Sequence, residues 1–111
     1  MEVLFQARKD EELVGDERRL IRKYGKLAAK EIKKSYVAIK EAMNLKFMLD
    51  NRIRGCHCLT GDRFETFAVR NEQPYRMIFK VEEPVPRKQD GGIDLEKVER
   101  VRILELHCDY H

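Results

Sequence analysis

The apolar pattern of the chain changes period near Arg54, and that switch limits the folds open to it. From about Lys26 to Met43, the residues Ala29, Ile32, Tyr36, Ile39 and Met43 recur every three or four positions, which is one face of a helix. From Tyr75 to Val81, Tyr75, Met77, Phe79 and Val81 share one face while Arg76, Ile78 and Lys80 share the other, which is the period of a strand. A chain that is helical first and extended afterwards predicts an α+β fold. The expected form is a small twisted antiparallel β-sheet with two N-terminal helices packed on one face. At 111 residues, positions 1–111 are expected to form a single domain.

The remaining elements follow from local signals. Val3, Leu4 and Phe5 predict a first strand. Asp10 to Tyr24 predicts helix with an interruption at Gly15-Asp16, where Asp16 can cap a new start, and Gly25 is placed to stop it. Leu45 to Leu49 adds a turn. Cys56 to Leu59 reads as a short extended piece, Thr60-Gly61-Asp62 as a tight turn, and Phe64 to Arg70 as a strand. Asn71 to Pro74 is a turn, Glu82 to Gly92 an exposed excursion, and Asp94 to Val98 a helical turn. Arg100 to Leu106 is the last strand, with Leu104 and Leu106 expected on one face. Short turns predict antiparallel pairing throughout, with the sheet face away from the helices left open.

Charge is unevenly spread. Residues 1–54 hold 14 Lys/Arg against 9 Asp/Glu, or +5, and residues 55–111 hold 9 against 11, or −2. A basic helical half suits a polyanion such as RNA, or an acidic protein. Lys26, Lys30, Lys33 and Lys34 on the wet side of the long helix are the candidate contacts. No stretch approaches the roughly 20 apolar residues of a membrane span, so a cytoplasmic protein with reduced thiols is expected from this composition and its three cysteines.

Cleavage of RNA without a metal needs a group to take the 2′-hydroxyl proton, a group to protonate the leaving 5′-oxygen, and a cation for the charge on phosphorus. Histidine suits either proton transfer, and arginine matches phosphate with two parallel N–H groups. The chain has three histidines: His57, His107 and His111. Strand parity turns Arg76 toward the open face, and an extended end would put His107, Asp109 and His111 there as well.

The segment Cys56-His57-Cys58-Leu59-Thr60-Gly61-Asp62-Arg63, then Pro74-Tyr75-Arg76-Met77-Ile78-Phe79, then Val101-Arg102-Ile103-Leu104-Glu105 and the ending Asp109-Tyr110-His111 resemble the HigB-type plasmid maintenance killer toxins of the RelE/ParE superfamily. The resemblance implies a toxin of a type II toxin-antitoxin system that cleaves mRNA in the ribosomal decoding site. It implies a cognate antitoxin, a class with helix-turn-helix members; no cofactor is expected. It implies catalytic roles for His57, Asp109, Tyr110 and His111, with Arg76 on phosphate. The family pattern carries Lys after His-Pro-Leu, where this chain has Thr60, so Arg63 or Lys80 is expected to supply that charge to the RNA.

Two rival readings come from the same residues. Cys56, His57, Cys58, His107, Cys108 and His111 invite a zinc site, but neighbours in a strand point apart and the spacing is not that of a zinc knuckle, so no metal is expected. A gyrase-inhibiting or catalytically silent binding module, as in ParE relatives, would need no acid-base groups.

Overall fold

A computed structural model describes residues 1–109. The chain runs β1 (Glu2–Phe5), α1 (Arg8–Val14), α2 (Glu17–Tyr24), α3 (Lys26–Glu41), α4 (Leu45–Asp50), β2 (His57–Cys58), β3 (Thr66–Arg70), β4 (Arg76–Val81) and β5 (Arg100–Cys108). Single 3-10 turns sit at Ile53–Gly55, Gly61–Arg63 and Leu95–Lys97. The class is α+β.

The helical half is divided where the sequence has its caps. The Asp16 side chain accepts from the Arg19 backbone N–H at 3.3 Å and starts α2 anew after Gly15. Gly25, at φ +90°, ends α2 and begins α3, a backbone geometry that a side chain would strain. Asn44 caps α4 by accepting from Phe47 N–H at 2.8 Å. Among the described residues there are thus four helices where two were expected, and α1 and α4 are each only about two turns long.

These helices lay Leu20, Ile32, Ile39, Leu45 and Met48 against Phe67, Val69, Met77, Phe79, Val81, Val101, Ile103 and Leu106 of the sheet. Phe67 and Phe79 are cross-strand partners with ring centroids 5.7 Å apart. Each such fully buried side chain stabilises the fold by roughly 1.5–3 kcal/mol. This packed layer is the rigid support for whatever the opposite face does.

The strand order is β1-β5-β4-β3-β2. The β2–β3, β3–β4 and β4–β5 pairs are antiparallel, but β1 runs parallel to β5, so the sheet is mixed and the wholly antiparallel expectation is corrected. The cause is topological. β1 feeds the helical layer, the chain returns to the sheet at the opposite edge through β2, and β5 comes last to lie beside β1 in the same direction. A crossover of that length permits parallel pairing, which no short turn does.

The strand β5 is corrected too. Its register against β4 shifts twice, between Phe79 and Ile78 and between Ile78 and Arg76. Leu104 and Glu105 together oppose Ile78, and Leu106 and His107 together oppose Met77. Leu106 therefore joins the helix-side core, while Leu104 and Cys108 join Leu59, Ala68 and Ile78 on the other face. Leu104 and Leu106 do not share a face.

The excursion after β4 is less exposed than expected. Val85, Ile93 and Leu95 pack against the core, Arg87 bridges to Ile93, and the Arg87 guanidinium holds the Glu65 carboxylate with two N–H groups. Among the described residues, no helix is long and apolar enough to cross a membrane.

Candidate active site

On the face away from the helices, a small apolar floor of Leu59, Ala68 and Ile78 is ringed by His57, Arg76 and further basic side chains. His57 sits on the edge strand β2 opposite Ala68, which turns it toward this face. Its Nδ1 lies 2.9 Å from the Gly55 carbonyl oxygen. A carbonyl only accepts, so Nδ1 carries a proton and proton exchange by this ring falls to Nε2. The exposed ring is thereby oriented by its backbone contact.

Gly55 is itself held by a tie that no local pattern advertises. Arg54 adopts a left-handed backbone (φ 48°) and buries most of its guanidinium between α3 and β3. Its Nε donates to Ser35 Oγ at 2.9 Å and to the Arg70 carbonyl at 3.2 Å, and its Nη2 donates to Glu31 Oε1 at 3.0 Å. The fully buried Ser35 hydroxyl donates to the same Arg70 carbonyl at 2.7 Å. The hydrogen bond from Arg54 holds the Glu31 carboxyl below the usual glutamate range. A left-handed non-glycine residue costs about 1–2 kcal/mol, and the tie offsets that. Arg54→Ala should lower stability by roughly 1.5–3 kcal/mol in urea denaturation, and a loss under about 0.5 kcal/mol would show that the tie is incidental.

The cations are distributed in rungs. Arg70, Arg76 and Cys108 are cross-strand neighbours at one end of the open face. Arg76 uses only Nη1 among the described residues, donating to Gln73 Oε1, the Pro74 carbonyl and the Tyr75 carbonyl at 3.3, 3.0 and 3.0 Å. Its Nε and Nη2 remain as a fork that matches a phosphate. It pairs with neither Glu65 nor Glu105. Arg70, which sequence reasoning missed, extends its Nη1 close to Gly55, beside His57. The signal lies in the alternation of β3, where Phe67 and Val69 face the core and Arg70 therefore faces away.

Arg63 reaches across the face to Glu105 at 2.7 Å and lies 4.0 Å from Cys108 Sγ, so part of its charge is already met. That hydrogen bond keeps the Glu105 carboxyl below its usual range. Lys80 occupies the rung between Thr66 and Arg102 and makes no hydrogen bond or ion pair among the described residues. Of the two expected substitutes for the absent lysine, Lys80 is the less committed.

At the end of β5 the structure separates residues that parity had grouped. His107 faces the helices rather than the open face, because the second register shift turns it. Its ring stacks on Tyr75 at 4.2 Å and meets the edge of Tyr24 at 5.1 Å. Asn71 Nδ2 donates to the Leu106 carbonyl at 3.0 Å and to His107 Nδ1 at 3.1 Å, so here Nδ1 is the acceptor and Nε2 bears the proton. His107 is a wedge between Tyr24 and Tyr75. Asp109 is exposed and stands just past the end of β5, where strand parity no longer sets direction. Tyr110 and His111 lie outside the described residues.

Burial lowers the pKa of His107, with Glu72 acting weakly in the other direction. The folded protein thus holds the neutral ring, while the unfolded chain takes up a proton below the ordinary value of about 6.5. The contribution of His107 to stability is complete above that value and shrinks as pH falls toward the folded pKa. Urea midpoints at pH 7.5 and 5.5 should drop more for wild type than for His107→Gln. Equal drops would rule this out.

Lys26, Lys30, Lys33 and Lys34 line one groove of about 340 Å³ between α2 and α3, floored by Ile21 and Ala29. Two have partners: Lys33 donates to the Val14 carbonyl at 3.4 Å and Lys34 lies 3.5 Å from Glu31. The groove belongs to the helical layer, so these lysines are not part of the His57 site. The cysteines are free thiols. Cys56 is buried, its thiol pushed up to about 12 by burial, and Cys58 faces the same side as Phe67, away from His57. Among the described residues, no three His, Cys, Asp or Glu side chains stand together as metal ligands would.

Compared with known proteins, the chain matches no family model, no curated protein and no solved structure.

Proposed function

We propose that the chain is a HigB-type toxin of the RelE/ParE superfamily, a ribosome-dependent mRNA endoribonuclease that cleaves by attack of a 2′-hydroxyl on the adjacent phosphate. The observation that carries this reading is the His57–Gly55 hydrogen bond at 2.9 Å, which orients an exposed imidazole, with Nε2 left for proton exchange, on a face ringed by arginines. In the reaction one histidine, His57 or His111, assisted by Asp109, takes the 2′-hydroxyl proton. The O2′–P bond forms as the P–O5′ bond breaks, leaving a 2′,3′-cyclic phosphate. The other histidine, or Tyr110, gives a proton to the departing 5′-oxygen. The free fork of Arg76 binds the charge on the phosphorane, with Arg63 and Lys80 as further RNA contacts.

The partners of this reading are the ribosome with its mRNA, and a cognate antitoxin that keeps the toxin silent. Lys26, Lys30, Lys33 and Lys34 form a separate basic surface for ribosomal RNA. Induced expression with mapping of mRNA 5′ ends, run beside a gyrase supercoiling assay, tests the proposal. New mRNA ends with unaffected gyrase are expected. Inhibited gyrase with intact mRNA would replace the nuclease with a ParE-like binding module.

A further inference from the structure

The turn between β2 and β3 presents an aromatic ring that neither the fold nor the acid-base chemistry uses. Phe64 is 76% exposed, the highest value among the large apolar side chains of the described residues. The turn that carries it is tied down on every side. Phe64 N–H donates to the Gly61 carbonyl at 3.1 Å, and Leu59 N–H donates to the Thr66 carbonyl at 2.8 Å. The Thr66 hydroxyl donates to the Arg63 carbonyl. The next residue, Glu65, takes a left-handed backbone (φ 58°), and its carboxylate is gripped by Arg87 from the excursion. A flexible loop could fold an apolar ring inward. This one is braced with its ring facing water.

Its surroundings say what would cover the ring. The preceding residue, Arg63, extends over the open face to Glu105, and the turn leads into the rung where Thr66, Lys80 and Arg102 are cross-strand neighbours. An exposed aromatic with guanidinium and ammonium groups close by fits a ligand that is flat, apolar on its faces and joined to anions. A nucleobase in a single strand has those properties, and base–aromatic stacking is tolerant of base identity because every base has a π-face. A protein partner would want apolar neighbours around the ring, and the adjoining residues are Arg63 and Glu65.

We infer that Phe64 is a stacking platform for one unpaired nucleobase of the RNA, at the Lys80 end of the open face, the opposite end of β3 and β4 from the Arg76 fork. This rests on the ribonuclease reading above and adds to it a binding residue whose contribution is to RNA affinity rather than to proton transfer. The brace fixes the backbone that carries the ring before RNA arrives, so only the rotamers of Phe64 itself are ordered on stacking.

The chain has no tryptophan, so Phe64→Trp introduces a unique fluorophore at this position. In a non-cleaving His57→Ala background, a single-stranded RNA decamer should quench that indole saturably, and an abasic strand of equal length should not. Phe64→Ala and Phe64→Leu should bind the decamer about 5- to 150-fold more weakly, while Phe64→Trp and Phe64→Tyr bind as the parent does. Leucine keeps the apolar area and loses the ring, so parental binding by Phe64→Leu overturns the inference. So does an emission that ignores RNA but shifts with protein concentration, which would mean the ring is covered by a second copy of the chain. If the parent cleaves RNA in translation extracts and Phe64 variants bind normally, only this inference falls. If the chain neither binds nor cleaves RNA, the function falls with it.

Discussion

Replacing His57 by alanine should lower mRNA cleavage by about 10²–10⁴-fold and leave thermal unfolding nearly unchanged. The two halves of that result have separate causes. The ring is exposed on an edge strand of two residues, so its removal opens no cavity in the core. Its Nδ1 is committed to the Gly55 carbonyl, and His107 faces the helices, so no other imidazole among the described residues stands on that face. Imidazole added to the buffer should restore part of the rate, because the space vacated is open to water. Unaltered cleavage by His57→Ala, with folding verified, would remove His57 from the mechanism.

Arg76→Ala should reduce kcat by about 10²–10³-fold with a smaller change in KM, the mark of a group that binds developing charge more than bound substrate. Arg76 can do this because its Nη1 is anchored on three oxygens of the preceding turn, which fixes the plane of the guanidinium and leaves Nε and Nη2 in one defined direction. Arg76→Lys keeps the charge and loses the planar fork, so it should recover only part of the loss. Single-turnover cleavage on programmed ribosomes distinguishes the three proteins. Equal kcat in Arg76→Ala and wild type would transfer the phosphate to Arg70 or Lys80.

Where the alternation is regular, the fold is legible in the sequence. Met77, Phe79 and Val81 face the core and Ile78 faces away, as their spacing requires, and that is why spacing alone places Arg76 on the open side. The division of the helices is legible because Asp16 and Gly25 act locally through their own backbone and side chain. The parallel pairing of β1 is not, because it depends on which edge remains after every other strand has paired. Arg54 is hidden for a related reason: Glu31, Ser35 and Arg70, the groups that give it meaning, come from two other elements. Arg63 reads as a free cation, and only the folded sheet brings Glu105 to it. Periodicity misplaces His107 when it is phased on Leu104 and Leu106, which the two register shifts put on opposite faces; phased on Val101 and Ile103, it puts His107 on the helix side.

Those two extra residues make the end of the chain sensitive to length in a way it is not sensitive to identity. Between Ile103 and Cys108 a half-twist is inserted and then undone, so the segment leaves β5 in the same phase in which it entered. Exchanging Leu104 for another apolar side chain preserves that phase. Deleting one residue anywhere in the stretch does not: it would carry Cys108 toward the helices and swing the wedge of His107 out from under Tyr24 and Tyr75. Relatives of this chain should therefore vary freely in residue type between Ile103 and Cys108, and hardly at all in count.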